Sequence, residues 1–276
     1  FILGTDPDSD RVGIMIRDKN GEYQVVTGNQ TGVVLLDYLL GAMQRSGKLP
    51  EKPVALKTIV TTEMAKAVAE SYGAACYDTF TGFKFLAEKK DKLEGAGEGK
   101  VVFSYEESYG YMLGDFVRDK DAVTASLALT EMAAYYASKG MTVLDALNAL
   151  YEKHGYYGEK THNLVMPGLD GLKDMAKLMA SLRQTPPREI AGVTVRQFKD
   201  YQDGSVVDCA TGKASAMELS GSNVLRFELA DGTSIIVRPS GTEPKIKVYV
   251  LTKGKDAAER DANLAKYASW VAELKP

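Results

Sequence analysis

The chain has little of what several common chemistries require. Of its 276 residues two are cysteine, Cys76 and Cys209, and two are histidine, His154 and His162. The cysteines lie far apart and adjoin no Cys/His pattern. That excludes a disulfide framework and a zinc site of ordinary spacing, and it fits reduced thiols in a cytoplasmic protein. His154 closes a helical stretch, where an imidazolium suits the helix dipole, and neither histidine has a Cys or Asp close by in sequence to make it a catalyst. There is no Gly-x-Ser-x-Gly elbow and no Walker-type P-loop. No apolar run approaches the roughly 20 residues of a membrane span, and no signal peptide is present. Lysine and arginine number 34 against 37 aspartates and glutamates, so the basic surplus of a nucleic-acid binder is missing. What is there is 45% apolar and 26% charged, the composition of a soluble globular chain. The length suits two domains, or three small ones.

Strand and helix patterns alternate from the start. After Phe1-Ile2-Leu3 and an acidic loop, strands are expected at 12–16 and 23–26 around an Asn20-Gly21 turn. A helix that Asn29 can cap follows, with Val33, Leu36, Leu40 and Met43 among its apolar set. Ser46 to Pro50 reads as a boundary. A second unit then offers a strand at 54–60, a helix capped by Thr61 or Thr62 and ended by Gly73, and a strand at 74–77. A helix opened by Thr81, a strand at 101–104 and helices at 121–138 and 143–153 complete it. Such alternation implies a largely parallel sheet covered on both faces. A helix at 169–182 ends at Thr185-Pro186-Pro187, and strands at 193–201, 223–229, 234–237 and 245–251 follow. Asp231-Gly232 forms a hairpin turn among them, and a helix at 257–274 closes the chain. The expected fold class is α/β. Residues 1–47 form the end of one α/β domain, 48–166 a three-layer domain with a mixed or parallel sheet, and 167–276 a smaller α+β domain.

Four features carry chemistry. The first is Asp6-Pro7-Asp8-Ser9-Asp10-Arg11. Alternating carboxylates in a short loop can aim hard oxygens at a divalent cation such as Mg²⁺, and Arg11 can bind an anion beside it. A calcium hand is excluded, because its sixth and twelfth positions are Arg11 and Arg17 here. A solvated Asp/Ser turn needs no metal and stays open as an alternative. The second is Arg238-Pro239-Ser240-Gly241-Thr242, where backbone amides, two hydroxyls and a guanidinium can cradle a phosphate; a decorated β-turn accounts for it equally. The third, Tyr105-Glu106-Glu107-Ser108-Tyr109-Gly110-Tyr111, follows a buried-type strand at the end where open α/β sheets bind ligands, and Glu106 and Ser108 can bond sugar hydroxyls; taken alone, the segment reads more simply as a polar loop with tyrosines packing underneath. Lys57 on its strand and Thr81-Gly82 at a helix start are further anion contacts.

Together and in this order, these segments resemble the α-D-phosphohexomutase family, the phosphoglucomutases and phosphomannomutases. The metal loop of that family resembles residues 6–11, its sugar loop Glu106-Glu107-Ser108, and its phosphate loop residues 238–242; Arg118-Asp119-Lys120-Asp121 is especially like the bacterial phosphoglucomutase branch. The resemblance implies a phosphoserine enzyme that interconverts hexose 1-phosphate and hexose 6-phosphate through a bisphosphorylated sugar. Mg²⁺ would sit on Asp6, Asp8 and Asp10, with Arg11 neutralising the transferring group. Glucose and mannose phosphates would meet Lys57, Thr81, Gly82, Glu106 and Ser108, and the distal phosphate would meet Arg238, Ser240, Gly241 and Thr242. The family's Ser-His-Asn-Pro-like phosphoserine loop does not occur in residues 1–276. The sequence is therefore expected to be the carboxyl-terminal half of the enzyme, without turnover until joined to its amino-terminal half. Three other readings stand beside this one: an aspartyl-nucleophile phosphatase, suggested by Asp6-x-Asp8; a sugar-phosphate binding module; and a phosphopentomutase as a substrate variant.

Overall fold

A computed structural model of the chain describes residues 1–168, 170–241 and 243–274. It divides into two compact units, Phe1–Gly155 and Tyr156–Pro276.

The first unit opens with an antiparallel three-stranded sheet, β1 (Ile2–Thr5), β2 (Val12–Arg17) and β3 (Tyr23–Val26). Strict alternation in β2 buries Val12, Ile14 and Ile16, the period-two signature of a strand with one covered face. Helix α1 (Gly28–Arg45) starts at a reciprocal cap: Thr27 Oγ1 accepts from Gln30 N at 3.2 Å, and Gln30 Oε1 from Thr27 N at 3.0 Å. Asn29 is not the cap. Its Oδ1 accepts from Thr62 N at 3.0 Å and ties α1 to the next strand's exit.

Strand β4 (Pro53–Thr58) is buried along its whole length and is central in a second sheet. Helix α2 (Met64–Glu70), β5 (Ala75–Thr79), α3 (Phe83–Gly95), β6 (Lys100–Tyr105) and the short β7 (Tyr111–Met112) follow, in the order β5-β4-β6-β7. β4 runs parallel to β5 and β6, and β7 returns antiparallel. α3 packs Phe83, Leu86 and Leu93 on Val54, Leu56 and Val101, whereas α1 lies against Tyr105 across the sheet. That is the expected three-layer arrangement. α4 (Ala122–Ser138), capped by Asp121, and α5 (Val143–His154), with a Thr142/Asp145 capping box, complete the unit. α1 packs against α2, α4 and α5, so Ser46–Pro50 turns the chain without separating a compact unit. Of the caps expected for α2 at Thr61 or Thr62, Thr62 Oγ1 accepts from Met64 N at 3.2 Å, although the N-cap position is Glu63, which makes no side-chain cap bond, and Gly82 rather than Thr81 precedes α3.

In the second unit, β8 (Tyr156–Val165) went unread in the sequence, because its polar outer residues hide the alternation. It leads to α6 (Gly171–Gln184), β9 (Glu189–Ile190), β10 (Val193–Asp200), β11 (Ser205–Asp208), β12 (Ala214–Ala216), β13 (Leu225–Leu229), β14 (Ser234–Pro239), β15 (Lys245–Gly254) and α7 (Ala257–Glu273). The sheet is antiparallel, ordered β12-β11-β10-β13-β14-β15-β8, with β9 beside β10. β8 pairs with β15 over its whole length, from Val165 opposite Lys245 to Tyr156 opposite Gly254. Residues 156–165 therefore belong to this sheet, although a border at 166/167 was expected. One face packs Phe198, Phe227, Ile235, Val248 and Val250 against Leu178, Leu182, Tyr267 and Val271 of α6 and α7. Both cysteines are free thiols. Among the described residues no helix is long and apolar enough to cross a membrane.

Candidate active site

In the first unit, the loop between β1 and β2 folds on itself. Asp6 Oδ1 accepts from Asp10 N and Arg11 N, each at 3.2 Å, and Ser9 takes a left-handed φ of 56° to close the turn. Slight burial pushes the Asp6 carboxyl up, but those amides and the Arg11 charge outweigh it and hold it below the ordinary aspartate range. Asp10 Oδ2 lies 2.8 Å from Lys120 Nζ, while Asp8 and Arg11 are exposed. Among the described residues no three His, Cys, Asp or Glu side chains converge as a metal would need. The donor chemistry suits Mg²⁺, but the carboxylates as placed do not: Asp6 is engaged by two amides and Asp10 by an ammonium.

The loop after β6 is stitched to this one. Val12 N donates to Tyr109 O at 3.1 Å, Arg11 and Gly110 form an isolated β-bridge, and Ala122 N donates to Ser9 O at 3.3 Å. Glycines permit the approach. A Cβ on Gly32 would lie 2.0 Å from the Tyr105 ring, and one on Gly110 2.7 Å from the Phe83 ring. Glu106, only 8% exposed, accepts from Gly82 N at 2.5 Å and from Ser108 Oγ at 3.5 Å. Gly82 reaches this geometry at φ 116°, a region that suits glycine. Glu107 Oε2 takes the hydroxyls of Thr58 and Thr61, both at 3.4 Å. The two loops together line a pocket of about 530 Å³ that includes Thr5, Asp6, Arg11, Val12, Ser108 and Tyr109.

So Asp6, Arg11 and Ser108 share one pocket, with Gly82 and Glu106 bonded to each other beside Ser108. Thr81 is half-buried next to Gly82. Lys57 is a different matter. Its side chain is fully buried, with Nζ 2.7 Å from Asp78 Oδ1, 3.4 Å from Glu63 Oε1 and 3.2 Å from Thr61 O. A buried ammonium with two carboxylate partners is a packing element, so the expected ligand contact is corrected. The sequence reading also passed over Lys120. No local pattern marks a lysine that finds its carboxylate 110 positions upstream, although the resemblance of residues 118–121 pointed at the segment. Farther along, Asp115 is held down to about 2 by Lys100 and Lys90, which fasten the 113–117 turn to α3 and β6.

In the second unit, the end of β14, just before its turn into β15, carries Arg238, whose Nη1 is 3.5 Å from the Tyr249 hydroxyl. Ser240 N donates to Lys245 O at 2.8 Å, and Ser240 Oγ accepts from Glu243 N at 3.2 Å, so the serine closes the turn. Gly241 is exposed, and a methyl group added there would meet nothing within 4 Å. Thr242 lies outside the described residues. Lys247 stands directly opposite Arg238 in the β14–β15 register; directly opposed residues share a sheet face, and this second cation was not singled out from sequence.

Comparison with known proteins agrees with this layout. Residues 27–154 match the family model for phosphoglucomutase/phosphomannomutase alpha/beta/alpha domain III, and residues 167–264 the one for the C-terminal domain. A phosphoglucomutase of Staphylococcus aureus (strain N315) is 36% identical over 256 residues, covering 93% of this chain and 45% of that protein. The counterpart from strain MRSA252 is 35% identical over the same length. The chain thus spans about half the length of the curated relatives it matches. Among solved structures, the phosphoglucomutase parafusin of Paramecium superposes with a TM-score of 0.65 at 20% identity, over 98% of this chain and 43% of that one. The N-acetylphosphoglucosamine mutase of Aspergillus fumigatus, in complex with GlcNAc-6P and magnesium, gives 0.54 at 13%, over 99% and 49%. At such identities these likenesses speak for the fold.

Proposed function

Since the chain belongs to the phosphoglucomutase/phosphomannomutase family, we propose that it works as part of an intramolecular phosphotransferase that interconverts hexose 1-phosphate and hexose 6-phosphate. The observation that carries this reading is the single pocket shared by Asp6, Arg11 and Ser108. It sets an anion-binding guanidinium beside a loop rich in sugar-type hydrogen-bond groups. Phosphoryl transfer depends mainly on position and on neutralising charge, and these residues supply both. Arg11, exposed at the pocket wall, holds the transferring group. Glu106 and Ser108 bond sugar hydroxyls, and the Gly82 amide, at 2.5 Å from Glu106, fixes the direction of that carboxylate. Arg238, with Ser240, Gly241 and the opposed Lys247, grips the phosphate that is not transferring. Asp6, Asp8 and Asp10 are the hard-oxygen donors for a Mg²⁺ ion that would offset phosphoryl charge, although they do not converge as they stand. The phosphoryl donor is a serine on a segment outside residues 1–276.

The test is a coupled assay with glucose 1-phosphate, mannose 1-phosphate and a pentose 1-phosphate. It compares residues 1–276 alone with the same residues joined to a family amino-terminal half. The expected result is turnover only in the joined protein, dependent on a catalytic amount of sugar bisphosphate, and lowered at least tenfold by Arg238→Ala. Sustained conversion by residues 1–276 alone, or a trapped acyl-phosphate on Asp6, sinks this assignment.

A further inference from the structure

Three tyrosines stand in the segment 105–111, and two of them are core. Tyr105 and Tyr111 are fully buried and stack on Phe103, with ring centroids 5.2 and 6.2 Å away. Tyr109 has a different setting. It is half-buried and lines the pocket beside Arg11 and Ser108. Its ring lies over Gly13 of β2, where an added Cβ would be 3.7 Å from Cδ1 and 3.8 Å from Cε1. Gly13 pairs with Gly4, also in the pocket, and the space above Gly4 is open. The pocket thus has a bare floor with an aromatic ring at one side.

The backbone that carries this ring is strained. Tyr109 has a φ of 66°, in the left-handed region that a bulky L-residue seldom occupies. Gly110, next along, does not take that turn for it; its missing side chain instead makes room for the Phe83 ring. Bonds on both sides hold the strain in place. Tyr109 O accepts from Val12 N at 3.1 Å, and Glu106 N donates to Gly110 O at 3.0 Å. On the α1 side, the methyl that Gly28 lacks would reach within 2.8 Å of Tyr109 N. Glycine at 109 would follow the same path without steric cost. A large ring kept there against that cost marks a use for the ring.

We propose that Tyr109 is a further substrate-binding residue: its ring is the apolar wall on which the C–H face of a pyranose rests, while Ser108 bonds the sugar hydroxyls and Arg11 the phosphoryl group. C–H bonds beside oxygen carry a small positive charge and the face of an aromatic ring a negative one, so the less polar side of a sugar stacks on such a ring. Polar groups alone exchange their bonds to water for bonds to the sugar at little net gain, and an apolar wall adds what they lack. The left-handed turn sets the ring over β2 and keeps it out of the core that Tyr105 and Tyr111 fill. The inference rests on the sugar-phosphate reading of this pocket.

The test titrates two probes into the chain and three variants, followed by ligand-observed nuclear magnetic resonance. Glucose 1-phosphate is one, and glycerol 1-phosphate, a phosphate without a pyranose, is the other. Tyr109→Leu keeps the bulk and the strain but removes the ring, Tyr109→Gly removes all three, and Tyr109→Phe keeps the ring. The expected result is glucose 1-phosphate binding about three- to tenfold weaker in Tyr109→Leu and Tyr109→Gly, the weight of one aromatic contact, and recovered in Tyr109→Phe. Glycerol 1-phosphate binds all four proteins alike. The thermal midpoint of Tyr109→Gly stays at or above that of the parent, because relief of the left-handed backbone offsets the lost packing and the freedom of glycine in the unfolded chain. Glucose 1-phosphate held by Tyr109→Leu and Tyr109→Gly as tightly as by the parent overturns the role of the ring and leaves the sugar-phosphate reading standing. Equal weakening of glycerol 1-phosphate, or a Tyr109→Gly midpoint several degrees lower, does the same, since either makes the ring a packing element. Failure of the parent to bind either phosphate overturns both.

Discussion

Gly28→Ala puts the close approach of α1 to the sugar loop to a quantitative test. Gly28 is the first residue of α1 and is buried. A methyl built there would sit 2.1 Å from Glu107 O, 2.8 Å from Glu107 C and 2.8 Å from Tyr109 N, all of them backbone atoms. Ordinary contact needs about 3.5 Å, so helix and loop must part by roughly 1 Å, and no flexible side-chain tip is there to yield. Alanine would otherwise favour the helix, by at most about 1 kcal/mol and less in the first turn. Forced overpacking costs about 1–3 kcal/mol, and a clash with main chain lies at the upper end. The expected net loss is about 2 kcal/mol, or roughly 4–8 °C in the melting temperature of a unit this size. Gly95→Ala is the matched control: it closes α3 with nothing within 4 Å of the added carbon, so the same chemistry should be neutral or stabilising by about 0.5 kcal/mol. Urea unfolding followed by far-ultraviolet circular dichroism reads both variants. The fluorescence of Trp270, the sole tryptophan and half-buried against the second unit's core, should keep its midpoint throughout. If Gly28→Ala is as stable as the parent, the tight seating of the sugar loop on α1 is refuted.

Two more outcomes follow from buried charge. Lys57→Met removes a fully buried ammonium and leaves Asp78 with Lys66, 2.8 Å away, as its remaining cation. Breaking a buried pair costs about 3–5 kcal/mol; with Lys66 still in place about 2–3 kcal/mol is expected in urea unfolding, and a loss below about 1 kcal/mol would restore Lys57 as a candidate ligand contact. In the second unit, burial pushes Asp231 up, but the Tyr267 hydroxyl, the Thr233 amide and Lys266 outweigh it and leave its pKa below the usual value. A lowered folded pKa means stability that is present above the unfolded carboxyl pKa of about 3.9 and is lost as pH falls through the folded value. The Trp270-detected midpoint should therefore fall more steeply between about pH 5 and pH 2 in the parent than in Asp231→Asn. Parallel acid profiles would show that Asp231 carries no such linkage.

Much of the fold was legible because its signals are local. The alternation of Val12, Ile14 and Ile16, the Asp231-Gly232 turn and the helical patterns at 121–138 and 143–153 each act within a few residues. β8 escaped because Glu159, Lys160, Thr161 and Asn163 face solvent or half-buried positions, and it is a strand by virtue of β15, some 80 positions onward. Asn29 looked like a cap because its residue type is a good one, yet Thr27 stood two positions earlier with Gln30 at the spacing a reciprocal cap needs. Of the candidate site, the three loops were legible as loops of the right composition. Which carboxylate meets which cation was not, because a side chain's partner is set by the path of the whole chain.

The sequence by itself determined that an acidic loop follows the first strand, that a Glu-Ser loop ends the strand at 100–105, and that an Arg-Pro-Ser-Gly turn joins two late strands. Residue type, spacing and strand periodicity suffice for that. Only the tertiary structure decided that Lys57 would be taken by Asp78, that Asp10 would be held by Lys120, and that the aspartate and sugar loops would share one wall. The reason is the range of the forces involved. A turn or cap is settled by bonds between near neighbours, whereas an ion pair is settled by whichever opposite charge the packed sheets and helices bring within about 3 Å.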